Sequence, residues 1–298
     1  MKILITGGAG FVGYHLTKKL IELNHEVYVI DDLSTGYKKN IVIGAKFINN
    51  SILNERIIFK YIKLCDLVFH LAAKVELQKS IINPDECFLN NLVGTSIILK
   101  YCKKFKKRLI FASSCSVYPI NYKKKLKETI NIEPSTPYSI SKAACENLIN
   151  FYSNKFLLNS VILRFFNIYG ERQNINSEYA AVIPRFIDNA KKNKTLKLYG
   201  NGNQSRDFVN VHDVVDAYIK LGFSNKTGIY NVGSGKTTTI KSLANLIIKK
   251  IGKGKVKKLP SLKGDAKYSC ANIRKIKSAI NFSTKISLNQ GIKNLLKE

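Results

Sequence analysis

The sequence predicts an α/β protein: a doubly wound parallel sheet followed by a smaller α/β lobe. Three observations lead there. Short apolar runs alternate with longer amphipathic stretches through the first half of the chain, the pattern of parallel strands joined by crossover helices. A glycine string follows the first apolar run directly, where a strand gives way to a helix. Beyond about residue 166 the alternation loosens into Gly/Asn-rich turns such as Tyr199-Gly200-Asn201-Gly202-Asn203.

Taken in order, the expected strands are 2–6, 26–30, 46–48, 67–71, 108–112 and 160–164. Residues 11–23, 84–104 and 138–156 carry apolar side chains at three- and four-residue intervals and are the expected helices, with Pro84 at a helix start. Residues 1–166 form the expected dinucleotide-binding domain and 167–298 the second lobe, with the chain free to cross back between them. Within that lobe 239–250 reads as a helix, and the Lys/Gly-rich stretch 252–264, with Pro260 inside it, reads as a connector. No internal repeat is found.

Composition narrows the class. With 298 residues, 45% hydrophobic and 23% charged, the chain is an ordinary globular protein large enough for a sizeable core. No apolar run approaches the roughly 18 residues of a membrane span, and Met1-Lys2 leads straight into a strand rather than a signal peptide. The expectation is a cytoplasmic protein with no membrane partner. Six cysteines are scattered without metal-ligand spacing, so reduced thiols and no metal are expected. The net charge of +29 favours polyanions. Its lysines are spread over many segments rather than gathered in an arginine-rich stripe, so no nucleic-acid partner is expected.

The chemistry starts at Thr6-Gly7-Gly8-Ala9-Gly10-Phe11-Val12-Gly13. Glycines belong here because side chains would collide with a pyrophosphate or block helix–strand contact, while N–H groups at the helix start attract negative charge. Asp31 closes the second expected strand 18 residues beyond Gly13, where a carboxylate receives hydrogen bonds from an adenosine ribose and repels a 2′-phosphate. That favours NAD over NADP; the plain alternative is a turn aspartate, as for Asp32 beside it.

Tyr138 and Lys142 stand one turn apart at the start of the expected helix and face the same side. Bringing a phenol from about 10 to about 7 takes roughly 4 kcal/mol of preference for the charged form. An ammonium about 5 Å away at an effective dielectric of about 20 supplies roughly 3 kcal/mol. An acidified Tyr138 is therefore expected, the cationic ring of NAD adding the remainder.

The Tyr-x-x-x-Lys spacing is weak alone; the whole set is specific. With the glycine loop go Asp31-Asp32-Leu33-Ser34-Thr35-Gly36, His70-Leu71-Ala72-Ala73, Asn91-x-x-Gly94-Thr95, Ser113-Ser114-Cys115-Ser116-Val117-Tyr118, Arg164-Phe165-Phe166-Asn167-Ile168-Tyr169-Gly170 and Leu198-Tyr199-Gly200-x-Gly202-x-Gln204-x-Arg206-Asp207-Phe208. Together they resemble, over essentially the whole chain, the extended short-chain dehydrogenase/reductase family and within it the UDP-glucose/UDP-N-acetylglucosamine 4-epimerase group. The resemblance implies a Rossmann cofactor domain and a homodimer formed through a helix pair. It implies catalytic Ser114, Tyr138 and Lys142, with Ser114 hydrogen-bonding the sugar hydroxyl. NAD would be held by Gly7, Gly10, Phe11, Val12, Gly13, Asp31, Asp32, Ser34, Thr35, Gly36, Ser51, Ile52, Leu71, Ala72, Ala73 and Asn91, with Tyr138 and Lys142. Asn167 and Arg206 would grip the diphosphate of a UDP-sugar, Val182 and Tyr199 would approach its uracil and ribose, and Asp265 and Ser269 complete the substrate set. A small residue at Ser269, where some relatives place a tyrosine, leaves room for an N-acetyl group, and the segments 170–173 and 177–184 also resemble UDP-N-acetylglucosamine 4-epimerases.

Three positions depart from the family pattern. Asn50-Ser51 replaces a Gly-Asp pair that meets adenine, Leu262 stands where relatives often have a second diphosphate arginine, and Pro119 follows Tyr118 in place of glycine. The implied reaction is NAD-dependent inversion of C4 of a UDP-hexose through a 4-keto intermediate. The alternatives are a 4,6-dehydratase or decarboxylase, and a nucleic-acid binder on a borrowed fold. Dehydratases resemble Thr-Asp-Glu at 114–116, where this chain has no carboxylate.

Overall fold

A computed structural model describes residues 1–174, 181–261 and 266–297. The first half runs β1 (Lys2–Thr6), α1 (Phe11–Glu22), β2 (Glu26–Asp31), β3 (Lys46–Asn49), α2 (Glu55–Leu64), β4 (Leu67–His70), α3 (Leu77–Ile82), α4 (Pro84–Phe88), α5 (Gly94–Lys104), β5 (Arg108–Ser114), α6 (Pro137–Phe156) and β6 (Ser160–Phe165). After it come β7 (Asn167–Tyr169), α7 (Val182–Lys191), β8 (Thr195–Tyr199), β9 (Ser205–Arg206), β10 (Phe208–Asn210), α8 (Val211–Gly222), β11 (Gly228–Val232), β12 (Thr238–Thr239), α9 (Ile240–Ile251), β13 (Lys255–Leu259), β14 (Tyr268–Ser269), α10 (Arg274–Ile280) and α11 (Leu288–Leu296).

Seven strands form the main sheet in the order β11-β6-β5-β4-β1-β2-β3, and the pairings from β5 through β3 are parallel. The order reverses between β1 and β4, the place where open α/β sheets bind ligands beyond their strand ends. Strands here are buried on both faces: every residue of β4 and β6 is buried. One core joins Leu4, Ile30, Val68, Leu109 and Phe111 of the sheet to Ile58, Ile62, Ile98, Leu99 and Ile149 of its helices.

The chain forms two compact units: residues 1–117, 132–164 and 215–230, and residues 118–131, 165–214 and 231–298. The chain crosses back between them, since 118–131 belongs to the second unit and 215–230, with most of α8 and the start of edge strand β11, to the first. The second unit has its own core of Tyr169, Ile183, Phe186, Leu196, Leu198, Leu243 and Ile247.

Two local readings change. The expected helix over 84–104 is α4 and α5 joined by a π-turn at Leu89–Val93. The expected connector over 252–264 contains β13, paired in parallel with β8, and its lysines suit an exposed strand.

Candidate active site

The glycine string does in space what its residues require. Gly7 adopts φ +77°, and a Cβ there would lie 2.6 Å from the backbone nitrogen of Ala72. At Gly13 a Cβ would lie 2.1 Å from the carbonyl of Gly7, so only glycine lets α1 cross the end of β1 this closely. Gly10 is the N-cap of α1 and has no capping side chain, and no acidic residue stands in the first turn with Phe11 and Val12. That leaves a helix N-terminus open to an anion, and the cradle fits the pyrophosphate of a dinucleotide.

Asp31 ends β2 beside it. Its Oδ2 accepts from the Ala9 N–H and its Oδ1 from the Leu33 N–H, both at 2.9 Å. Burial raises its pKa, and the two backbone bonds oppose that shift. These bonds fix the carboxylate and leave lone pairs for a ribose hydroxyl. A Cβ on Gly36 would come within 2.9 Å of Oδ1. Asp32 is exposed and accepts from the Ser34 N–H at 2.9 Å, with Thr35 exposed next to them. Ser51 holds a turn by accepting from Leu53, and Ile52 is a core residue against Gly94.

Beyond β4, Leu71, Ala72 and Ala73 are half-buried. Asn91 clamps the segment after them: Oδ1 accepts from the Lys74 N–H at 2.8 Å and Nδ2 donates to the Lys74 carbonyl at 3.1 Å and Ser141 Oγ at 3.0 Å. Its amide therefore shapes the lip of the cradle from behind. His70 ties the same region together, between Thr6 Oγ1 at 2.7 Å and Thr95 Oγ1 at 3.0 Å.

Ser114, Tyr138 and Lys142 meet within the first unit. Ser114 is the last residue of β5. α6 starts just before Tyr138 because Thr136 caps it, Ser139 completes a capping box and Pro137 occupies the first turn. The Tyr138 side chain, 8% exposed, hydrogen-bonds that of Ser114. Lys142 Nζ donates to the Ala112 carbonyl at 2.8 Å and lies 6.0 Å from the Tyr138 ring centre.

Among the protein's own groups, before any contribution from the cationic ring of NAD, burial sets the charge balance. Burial pushes Tyr138 up to about 12, against the lowering effect of Ser114. Burial also pushes Lys142 down to about 8. Desolvation is the largest cause of both shifts.

In the second unit, the Asn167 N–H bonds the Asp207 carbonyl at 3.0 Å and its side-chain amide reaches the same oxygen at 3.4 Å. Arg206 Nη1 donates to the carbonyls of Ser205 at 2.9 Å and Ala266 at 2.6 Å. Ser269 pairs with Arg206 between β14 and β9 and is buried. Tyr199 ends β8 and Val182 opens α7, both half-buried. Asp265, Leu262 and residues 177–180 lie outside the described residues.

Three residues to which the motifs assign no role brace their own units: His70 and Glu146 in the first and Asp207 in the second. Asp207 is fully buried and accepts from the backbone of Ser234, Gly235 and Ala271 and the hydroxyl of Ser234 at 2.6–3.0 Å. Its signal was its place beside Arg206; the signal of Glu146 was the step of four from Lys142.

A family model described as the NAD dependent epimerase/dehydratase family matches residues 3–233. A putative UDP-glucose 4-epimerase of Methanocaldococcus jannaschii is 37% identical, the match covering 99% of this chain and 97% of that protein. The solved UDP-N-acetylglucosamine 4-epimerase of Methanobrevibacter ruminantium M1, in complex with UDP-N-acetylmuramic acid, is 34% identical with a TM-score of 0.94, over 99% of this chain and 98% of that one. A UDP-N-acetyl-alpha-D-glucosaminuronate decarboxylase of Bacillus cytotoxicus is 32% identical, over 99% and 96%.

Proposed function

The chain belongs to the NAD dependent epimerase/dehydratase family, and from that premise we propose that it inverts C4 of a UDP-hexose through a 4-keto sugar. The observation that carries this reading is the Ser114–Tyr138 hydrogen bond with Lys142 one turn on, in a segment 114–116 that offers no carboxylate for eliminating water. Bound NAD supplies the hydride acceptor and a positive ring that offsets the cost of ionising Tyr138.

In this reading the Gly7–Gly13 cradle and Asp31 hold the dinucleotide. Ser114 orients the sugar 4′-hydroxyl, and Tyr138 takes its proton as C4 is oxidised and returns it after the ring has turned over. Lys142 keeps the phenolate favourable. Asn167 and Arg206 hold the diphosphate, a task suited to a guanidinium fork. Val182 and Tyr199 hold the nucleoside, and Asp265 belongs to the same set.

The test is incubation with UDP-glucose, UDP-N-acetylglucosamine and UDP-glucuronate, with products resolved by NMR. Interconversion of C4 epimers is expected, and Tyr138→Phe is expected to lower kcat at least about a hundredfold while NAD stays bound. Release of carbon dioxide from UDP-glucuronate without epimer formation would replace this reading with the decarboxylase chemistry of the Bacillus relative.

A further inference from the structure

Tyr138, Lys142 and Glu146 follow one another at four-residue steps on α6 and line one stripe of that helix. Glu146 and Arg164 of β6 form an ion pair almost wholly out of water, with side chains 1% and 4% exposed. Arg164 Nε reaches the two carboxylate oxygens at 3.0 and 3.2 Å, and Nη2 reaches Oε2 at 2.6 Å. The hydroxyl of Ser113 donates to Oε1 at 2.5 Å. One carboxylate thus joins α6, β6 and the end of β5, where Ser114 is the next residue.

Stability does not account for this arrangement, since well-packed apolar residues commonly replace a buried ion pair without loss. The pair stands one turn from Lys142 and, through Ser113, one residue from Ser114. The groups around the Lys142 ammonium are Tyr138, Cys145 and Glu146 on its own helix, Cys87 on α4, His70 on β4, and Phe111 and the Ala112 carbonyl on β5. Burial holds both thiols and the imidazole neutral. Burial lowers the Lys142 pKa, Cys145, Cys87 and Glu146 oppose that shift, and Glu146 is the carboxylate among them.

We infer that Glu146, held by Arg164, is a positioning residue that keeps Lys142 protonated and seats Ser114 against Tyr138 through Ser113. The inference deepens the acid–base reading of Tyr138 and rests on it.

The decisive variant is the double change Glu146→Leu with Arg164→Met in the NAD-loaded enzyme, which removes both charges and avoids stranding a buried guanidinium. Its melting temperature is expected to hold. Lys142, followed by NMR of ¹³Cε-labelled lysine and assigned with Lys142→Arg, is expected to titrate about one unit lower. The kcat for C4 inversion is expected to fall about tenfold, most steeply on the alkaline side, with KM changed less than about twofold. Glu146→Gln should lower Lys142 in the same direction; if it does not fold, the double variant still decides. An unmoved Lys142 titration and an unchanged pH profile in the double variant would reduce the pair to a structural tie. A wild-type enzyme inert toward every UDP-hexose sinks the reaction assignment instead, and the NMR titration still judges the role of Glu146.

Discussion

The imidazole of His70 is committed on both sides, and its tautomer follows from counting hydrogens. Thr95 donates its hydroxyl to the Asn91 carbonyl at 2.5 Å, so it accepts from His70 Nε2. Nδ1 is then bare and accepts from Thr6, whose oxygen in turn accepts from the Ala72 N–H at 3.3 Å. Burial and the nearby Lys142 push the His70 pKa down to about 3. The folded state therefore binds fewer protons than the unfolded chain between about 6.5 and 3, and stability present above 6.5 is lost as pH falls through that window. His70 alone contributes a loss of about 1.4 kcal/mol per pH unit there. The raised carboxyls of Asp31 and Asp207 act the opposite way in acid, so the comparison must be with His70→Gln. Urea unfolding from pH 7 to 5 is expected to show a shallower slope in that variant; parallel slopes would mean that His70 is protonated in the fold.

Ser269 tests specificity at the same scale. It is small, buried and in register with Arg206. Ser269→Tyr is expected to cut kcat/KM for UDP-N-acetylglucosamine at least about tenfold and to spare UDP-glucose. Equal losses on the two sugars would show that position 269 does not sort them. The candidate residues could be named from the sequence because the glycine string, the Ser114 segment and the Tyr138/Lys142 pair occur together, although the Tyr-x-x-x-Lys spacing alone says little. What spacing did not reveal was how deeply Tyr138 and Lys142 are buried, since burial is a property of the fold.

Among elements, α6 shows how local chemistry sets a functional position. The Thr136–Ser139 capping box starts the helix two residues ahead of Tyr138, and its far end stops at Leu157, held at φ 55° while 88% exposed. A leucine in the left-handed region costs about 1–2 kcal/mol and packs against little here. Leu157→Gly is expected to stabilise the protein by about 1 kcal/mol in thermal unfolding; destabilisation would show that the leucine makes a contact worth more than its strain. Strands and long helices were readable from periodicity. β13 was not: in the Lys255–Leu259 run its side chains are exposed or half-exposed, so no apolar alternation marked it. The π-turn at 89–93 was hidden for a different reason: it lies inside one continuous helical stretch of apolar residues, and its Asn91 bonds Lys74, 17 residues away in sequence.

At the scale of the whole molecule, the parallel sheet was legible up to β6, and its last strand was not, because β11 arrives more than sixty residues later from the turn-rich half. Arg108 shows what that late arrival contributes: its guanidinium bonds the carbonyls of Gly222 at 3.1 Å, Leu221 at 2.8 Å and Lys226 at 2.6 Å, satisfying the end of α8. Tyr218 packs edge-on against Phe69 with ring centres 5.7 Å apart. A fragment of residues 1–166 lacks all of these partners. It is expected to melt without a cooperative transition by circular dichroism; a sharp transition would show that the sheet closes its core without 215–230.

The interleaving also constrains inheritance. Because 118–131 belongs with the later segments and 215–230 with the earlier ones, a single recombination event near codon 166 between diverged genes gives chimeras in which each unit carries foreign strips of its own interior. Exchange of sugar preference between such lineages is therefore easier by point substitution than by swapping halves.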